Sequence, residues 1–149
     1  MNIGLIVGVI IGVLIALVIA SIVFKKRPRK LKTEKYTEEW QAIQVMCKDK
    51  ANWPSLLTQA DELLDKALKR RRMKGKTMGE RLVSAQRLFT NNDDVWFAHN
   101  YVKKIISGDV KRPKESDVKD ALIGFRQALR DIGALPSSKP SDTSSEGKA

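Results

Sequence analysis

Two hydrophobic patterns divide this chain. From residue 3 to residue 24 the apolar positions are unbroken, with no charge and no proline. Of those 22 positions, 16 are Ile, Leu, Val or Phe and the rest are Gly, Ala or Ser. At about 1.5 Å per residue a helix of this length reaches roughly 33 Å, close to the hydrocarbon thickness of a bilayer. The segment therefore predicts one transmembrane helix over residues 1–24. From Thr33 onward the apolar residues recur with helical spacing instead. Tyr36, Trp40, Ile43 and Cys47 fall on one face. Asn52-Trp53-Pro54 marks a break and restart, with Pro near a first turn. Leu57, Ala60, Leu64, Ala67 and Leu68 continue to about Arg72, and Gly75 ends that region. Thr77 and Glu80 have the spacing of a capping box, followed by Met78, Leu82, Ala85 and Phe89. Asn91-Asn92 opens a helix through Val95, Trp96, Ala98, Val102 and Ile105. Gly108 to Pro113 is a loop, and Val118, Leu122, Phe125, Leu129 and Ile132 form the last face, stopped by Gly133 and Pro136.

The expected fold is all-α, an N-terminal transmembrane helix followed by a cytoplasmic bundle of four to five helices, each about 12–20 residues long. The domain reading is an anchor at 1–24, a basic linker at 25–33, a bundle at 34–134 and a polar, Ser-rich, disordered tail at 135–149. Trp40, Trp53 and Trp96 are expected in the core and its seams.

Charge fixes the topology. The net charge is +11, from 28 Lys and Arg against 17 Asp and Glu. Twelve of the 28 lie in two clusters. Lys25, Lys26, Arg27, Arg29, Lys30 and Lys32 follow the apolar run at once. Lys69, Arg70, Arg71, Arg72, Lys74 and Lys76 end the second helix of the bundle. The first cluster places its side of the span in the cytoplasm, so the N-terminus is expected outside and the bundle inside at the cell membrane. It also suits contact with anionic lipid. The second admits three readings: a solvated helix end, a membrane contact, or a nucleic-acid backbone contact. A cleaved signal peptide is the rival reading of the apolar run. It would want a basic segment before the run and a shorter core, although Ala20-Ser21 resembles a cleavage site.

Gly4, Gly8, Gly12, Ala16 and Ala20 recur at every fourth position of the run, a track that lets two helix backbones approach closely. Since the row turns about 40° per step, Gly4-Gly8-Gly12 is the expected contact. A second copy or another membrane protein is the expected partner.

Chemistry is sparse in the remaining residues. One Cys and one His exclude an internal disulfide framework and a Cys/His zinc cluster. No catalytic set, metal site or cofactor is expected. Cys47 reads as a small buried hydrophobe, and His99 as a hydrogen-bonded structural imidazole. Asp61 and Asp65 stand one helical turn apart and read as ion-pair partners rather than an acid–base pair.

The order of Trp40 and Ile43, the run Ala60-Asp61-Glu62-Leu63-Leu64-Asp65, the turn Thr77-Met78-Gly79-Glu80-Arg81-Leu82, then Trp96-Phe97-Ala98-His99 and a helix ending Leu129-Arg130-Asp131-Ile132-Gly133 resembles helical domains of the HEPN type over residues 36–134. The resemblance implies an all-α fold and pairing through the last two helices. Active members of that family cut RNA without metal, using an Arg and a following His. Here Val102 and Ser107 stand at those positions. The resemblance thus implies the fold without the nuclease. The function expected is a membrane-tethered, non-catalytic interaction module that self-associates. The alternative is a membrane-bound RNA-binding or ribonuclease domain built on His99, Lys103 and Lys104.

Overall fold

A computed structural model describes residues 2–26 and 29–137. Its elements are α1 (Ile3–Lys26), α2 (Thr33–Met46), a 3-10 turn (Lys50–Asn52), α3 (Trp53–Arg70), α4 (Met78–Ala85), α5 (Asn92–Ile106) and α6 (Glu115–Asp131). The described residues are thus all-α: one long apolar helix, then a packed bundle. Residues 138–149, where most of the expected disordered tail falls, lie outside the described residues, as does Arg27.

α3 is the centre of the bundle and touches α2, α4, α5 and α6. It can do so because its apolar stripe is wide. Leu56, Leu57, Ala60, Leu63, Leu64, Ala67 and Leu68 are all buried, at positions that cover somewhat more than a third of the helix circumference. Pro54 fixes its first turn. The Trp53 indole N–H donates to the Cys47 carbonyl at 3.1 Å and seals the α2–α3 corner. Trp40 and Trp53 are buried and Trp96 is half-buried against the core, where the sequence put them.

Three local expectations need correction. α4 has only 8 residues, shorter than the expected range; the turn after it still delivers Phe89 to the core. Cys47 lies just past the end of α2 and is half-buried, not on the helix face. The capping box is shifted. Thr77 Oγ1 accepts from the Glu80 amide at 3.2 Å, but the Glu80 carboxylate accepts from the Lys76 amide at 2.6 Å, one residue earlier than expected.

The bundle starts before α2. Leu31 is 6 % exposed and belongs to the core. At the other end Ala134 and Leu135 are buried beyond the last helix.

α5 and α6 meet at Gly124. A Cβ there would stand 2.5 Å from the Asp94 carbonyl oxygen and 3.4 Å from the Ala98 Cβ. The obstacle is backbone, so the helices themselves would have to separate. Gly124→Ala should therefore cost about 1–3 kcal/mol despite its better helix propensity. A thermal melt checks this: an unchanged or raised Tm would show that the helices do not pack this closely.

Candidate functional site

The first cluster begins in the last turn of α1 with Lys25 and Lys26 and runs into the segment before α2, and the second begins in the last turn of α3 with Lys69 and Arg70 and runs into the loop after it. Lys25, Arg29, Lys30 and Lys32 are exposed; the side chain of Lys26 lies outside the described residues. α3 ends in a turn in which the Arg72 amide donates to the Lys69 carbonyl and the Met73 amide to the Leu68 carbonyl. That geometry needs a left-handed residue, and Arg72 supplies it at φ 61°. α5 and α6 end with Gly108 and Gly133 at positive φ instead. The Arg72 guanidinium donates to the Lys25 carbonyl at the end of α1, which joins the two clusters. Lys69, Arg70, Lys74 and Lys76 are exposed, and Arg71 is half-buried.

The loop after α3 is held by an ion-pair network in which Asp65 takes the ion-pair role expected of it, with a partner, Arg81, that the sequence did not single out. Arg81 sits on α4 and is only 6 % exposed. Its Nε donates to Asp65 Oδ1 at 2.6 Å and its Nη1 to the Gly75 carbonyl at 2.8 Å. The other Asp65 oxygen receives Lys69 Nζ at 2.7 Å. Burial by itself would raise the Asp65 carboxyl; the hydrogen bonds and charges of Arg81 and Lys69 outweigh it and hold the group below the usual carboxylate value. Gly75 has φ 141° and lies so close to α4 that a Cβ would stand 2.7 Å from the Glu80 Cβ. The available sequence signal was register. Arg81 follows Met78 by three positions and so lies on the apolar side of α4.

Asp61 and Asp65 do not form a carboxylate pair, because each has its own cationic or polar partner. Asp61 Oδ1 is 2.8 Å from His99 Nδ1. The imidazole is 8 % exposed, and Trp96 stands edge-on with ring centroids 6.2 Å apart. A carboxylate and an indole thus fix the ring within the α3–α5 seam. Lys103 and Lys104 are exposed in the last turn of α5, which places their charges outside the seam that holds His99. Cys47 packs elsewhere, its thiol directed at the Ile43 carbonyl at 3.7 Å. Burial pushes that thiol above its ordinary value, which lowers the thiolate fraction at neutral pH. Among the described residues no group of three His, Cys, Asp or Glu is placed to hold a metal ion.

On α1, Gly4, Gly8 and Gly12 would each have open space over an added Cβ, and Ala16 is exposed with Ala20 half-buried. The segment Ile3–Lys25 has the length and composition of a membrane anchor or a signal sequence, and none of its apolar window is buried inside the protein.

A groove of about 710 Å³ lies between the first turn of α2 and the last turns of α3. Lys32, Lys35, Lys66, Lys69 and Arg70 line it, with Tyr36. Glu62 and Asp65 also line it. No protein-family model, no curated protein and no solved structure matches the chain.

Proposed function

We propose that the chain is a single-pass membrane protein whose helical bundle is a cytoplasmic, non-catalytic interaction module, held at the cell membrane and self-associating through its span. The observation that carries this reading is α1: an apolar helix with none of its hydrophobic window covered by the bundle and with cations directly behind it. A soluble protein with so much exposed apolar surface would aggregate; a bilayer removes that surface from water. The basic flank favours retention on the cytoplasmic side, which puts the N-terminus outside. The bundle reads as a HEPN-like scaffold without the family's Arg and His pair. The buried, Asp61-bound His99 supports a structural use of the imidazole.

Fractionation and protease protection test the placement. A C-terminal tag should stay with the membranes after alkaline extraction and resist protease added to intact cells. Recovery of the tag in the soluble fraction, or its digestion from outside, would reverse the reading.

Self-association is tested separately. Gly8→Ile puts a branched side chain in the middle of the Gly4-Gly8-Gly12 track, where the structure leaves open space for a partner backbone. The variant should fall to the dimer level of a monomeric control in a bilayer association assay. Dimers that persist at the wild-type level would remove the glycine track from the proposal.

A further inference from the structure

The groove between α2 and α3 has more cation than the protein itself neutralises. Lys69 is taken by Asp65, and Lys66 by Glu39 at 2.7 Å. Among the described residues Lys32, Lys35 and Arg70 form no ion pair, and the exposed Glu62 is the one unpaired carboxylate in the lining. The groove thus retains a net positive charge. α2 begins in it, and its N-cap, Lys32, supplies no side-chain acceptor for the first-turn amides.

The tether fixes where this groove sits. Leu31 is anchored in the core, five residues after Lys26 at the end of α1. Five residues span at most about 18 Å. Lys32, the next residue, therefore stays within about 22 Å of the end of α1. The Arg72 guanidinium also reaches the Lys25 carbonyl, so the α3 terminus lies beside the end of α1. A left-handed arginine is strained where a glycine would not be, and this chain uses glycine for the equivalent turns after α5 and α6.

We propose that this groove binds the phosphate of an anionic phospholipid headgroup in the leaflet to which α1 leads, with Lys32, Lys35 and Arg70 as its ligands. The proposal rests on the membrane placement given above and adds a defined headgroup site to it. Lipid is taken as the source, and not free phosphate, because the short tether keeps the groove within reach of the headgroups of the leaflet to which α1 leads.

The test uses the full chain in neutral-detergent micelles, titrated calorimetrically with short-chain phosphatidylglycerol, short-chain phosphatidylcholine and inorganic phosphate. Phosphatidylglycerol should bind, and the other two should bind at least tenfold more weakly. Lys32→Gln/Lys35→Gln/Arg70→Gln should weaken it by roughly fivefold per charge, on the order of 100-fold together. Lys48→Gln/Lys111→Gln/Arg112→Gln removes the same charge from exposed positions outside the groove, Lys48 lying beyond the other end of α2, and should change binding by less than about threefold. Equal losses in the two triple variants would reduce the effect to general charge and overturn the site. Equal binding of phosphatidylcholine would overturn it in favour of acyl-chain adsorption, and equal binding of inorganic phosphate in favour of a soluble anion. If the groove triple variant loses its helical circular dichroism, Lys35→Gln and Arg70→Gln singly, each expected at about fivefold, decide the matter. Flotation of the wild type with neutral vesicles separates the two claims. Failure to float overturns the anchor, whereas flotation without headgroup discrimination overturns only the groove.

Discussion

Asp65→Ala should destabilise the bundle by about 3–5 kcal/mol, a large effect for a single surface-adjacent carboxylate. Arg81 is the reason. Its side chain is 7 % exposed and its charge is balanced by Asp65 alone. Without that carboxylate a guanidinium is left buried beside one neutral carbonyl, that of Gly75. For a bundle of about 100 residues each kcal/mol moves Tm by about 4–8 °C, so the midpoint should fall by at least roughly 12 °C. Lys69→Met removes the other partner of Asp65 but should cost under about 1 kcal/mol, because that lysine is 60 % exposed. The double variant Asp65→Leu/Arg81→Met should recover most of the loss, since it leaves no unpaired charge. A melt of Asp65→Ala within a few degrees of wild type would show that Arg81 does not depend on this pair.

The same pair predicts how stability changes with pH. The folded state holds Asp65 below its ordinary value, so the unfolded chain takes up its proton first as pH falls. The contribution is complete above the unfolded carboxyl value of about 3.9 and is lost as pH falls through the lower folded value. The stability gap between wild type and Asp65→Asn should therefore stay constant from neutral pH down to about 4–5 and close below that. A gap that widens in acid would have the wrong sign.

Arginines in α1 give the other large effect, and the magnitudes say how many are needed. Sixteen large apolar residues at about −0.3 to −0.6 kcal/mol each favour insertion by roughly 5–10 kcal/mol. One arginine at mid-span costs about 2.5–3.5 kcal/mol and also removes one apolar contribution. Leu14→Arg should thus leave the chain in the membrane fraction after alkaline extraction. Ile10→Arg/Leu14→Arg/Val18→Arg should oppose insertion by about 9–12 kcal/mol and shift most of the chain to the soluble fraction. Retention of the triple variant would mean that something other than the apolar helix holds the protein at the membrane.

The fold class was legible because both patterns are simple. An unbroken apolar run and helical spacing after Thr33 need no partner to be read. The N-cap of α5 shows how local that information is: Asn91 Oδ1 accepts from the amides of Asp93 and Asp94 at 3.1 and 3.3 Å, as its position between two periodic segments implied. The misreadings are equally physical. Leu31 fell inside the expected basic linker at 25–33, and only the packed end of the bundle gives it a place in the core. Arg81 was given no role beyond its place in the Thr77–Leu82 turn, because nothing in the spacing of Asp65 and Arg81 announces that α3 and α4 fold back on each other. The candidate sites divided in the same way. The two basic clusters were visible as counts, but the groove between Lys35 and Arg70 joins residues far apart in the chain.

What the sequence determined by itself is whatever depends on neighbours along the chain: one apolar helix long enough for a bilayer, the helical segments, the Thr77 and Asn91 N-caps, and the sign and position of the charge clusters. Tertiary structure alone decided which charges are neutralised and which are left over. Asp61 went to His99, Asp65 to Arg81, and Lys66 to Glu39, while Lys32, Lys35 and Arg70 kept their charge in a shared groove; only Asp65–Lys69, one turn apart on α3, is a local pair. Pairing of charges falls off within a few ångströms and depends on burial, so it follows from the approach of helices, which no one-dimensional pattern specifies.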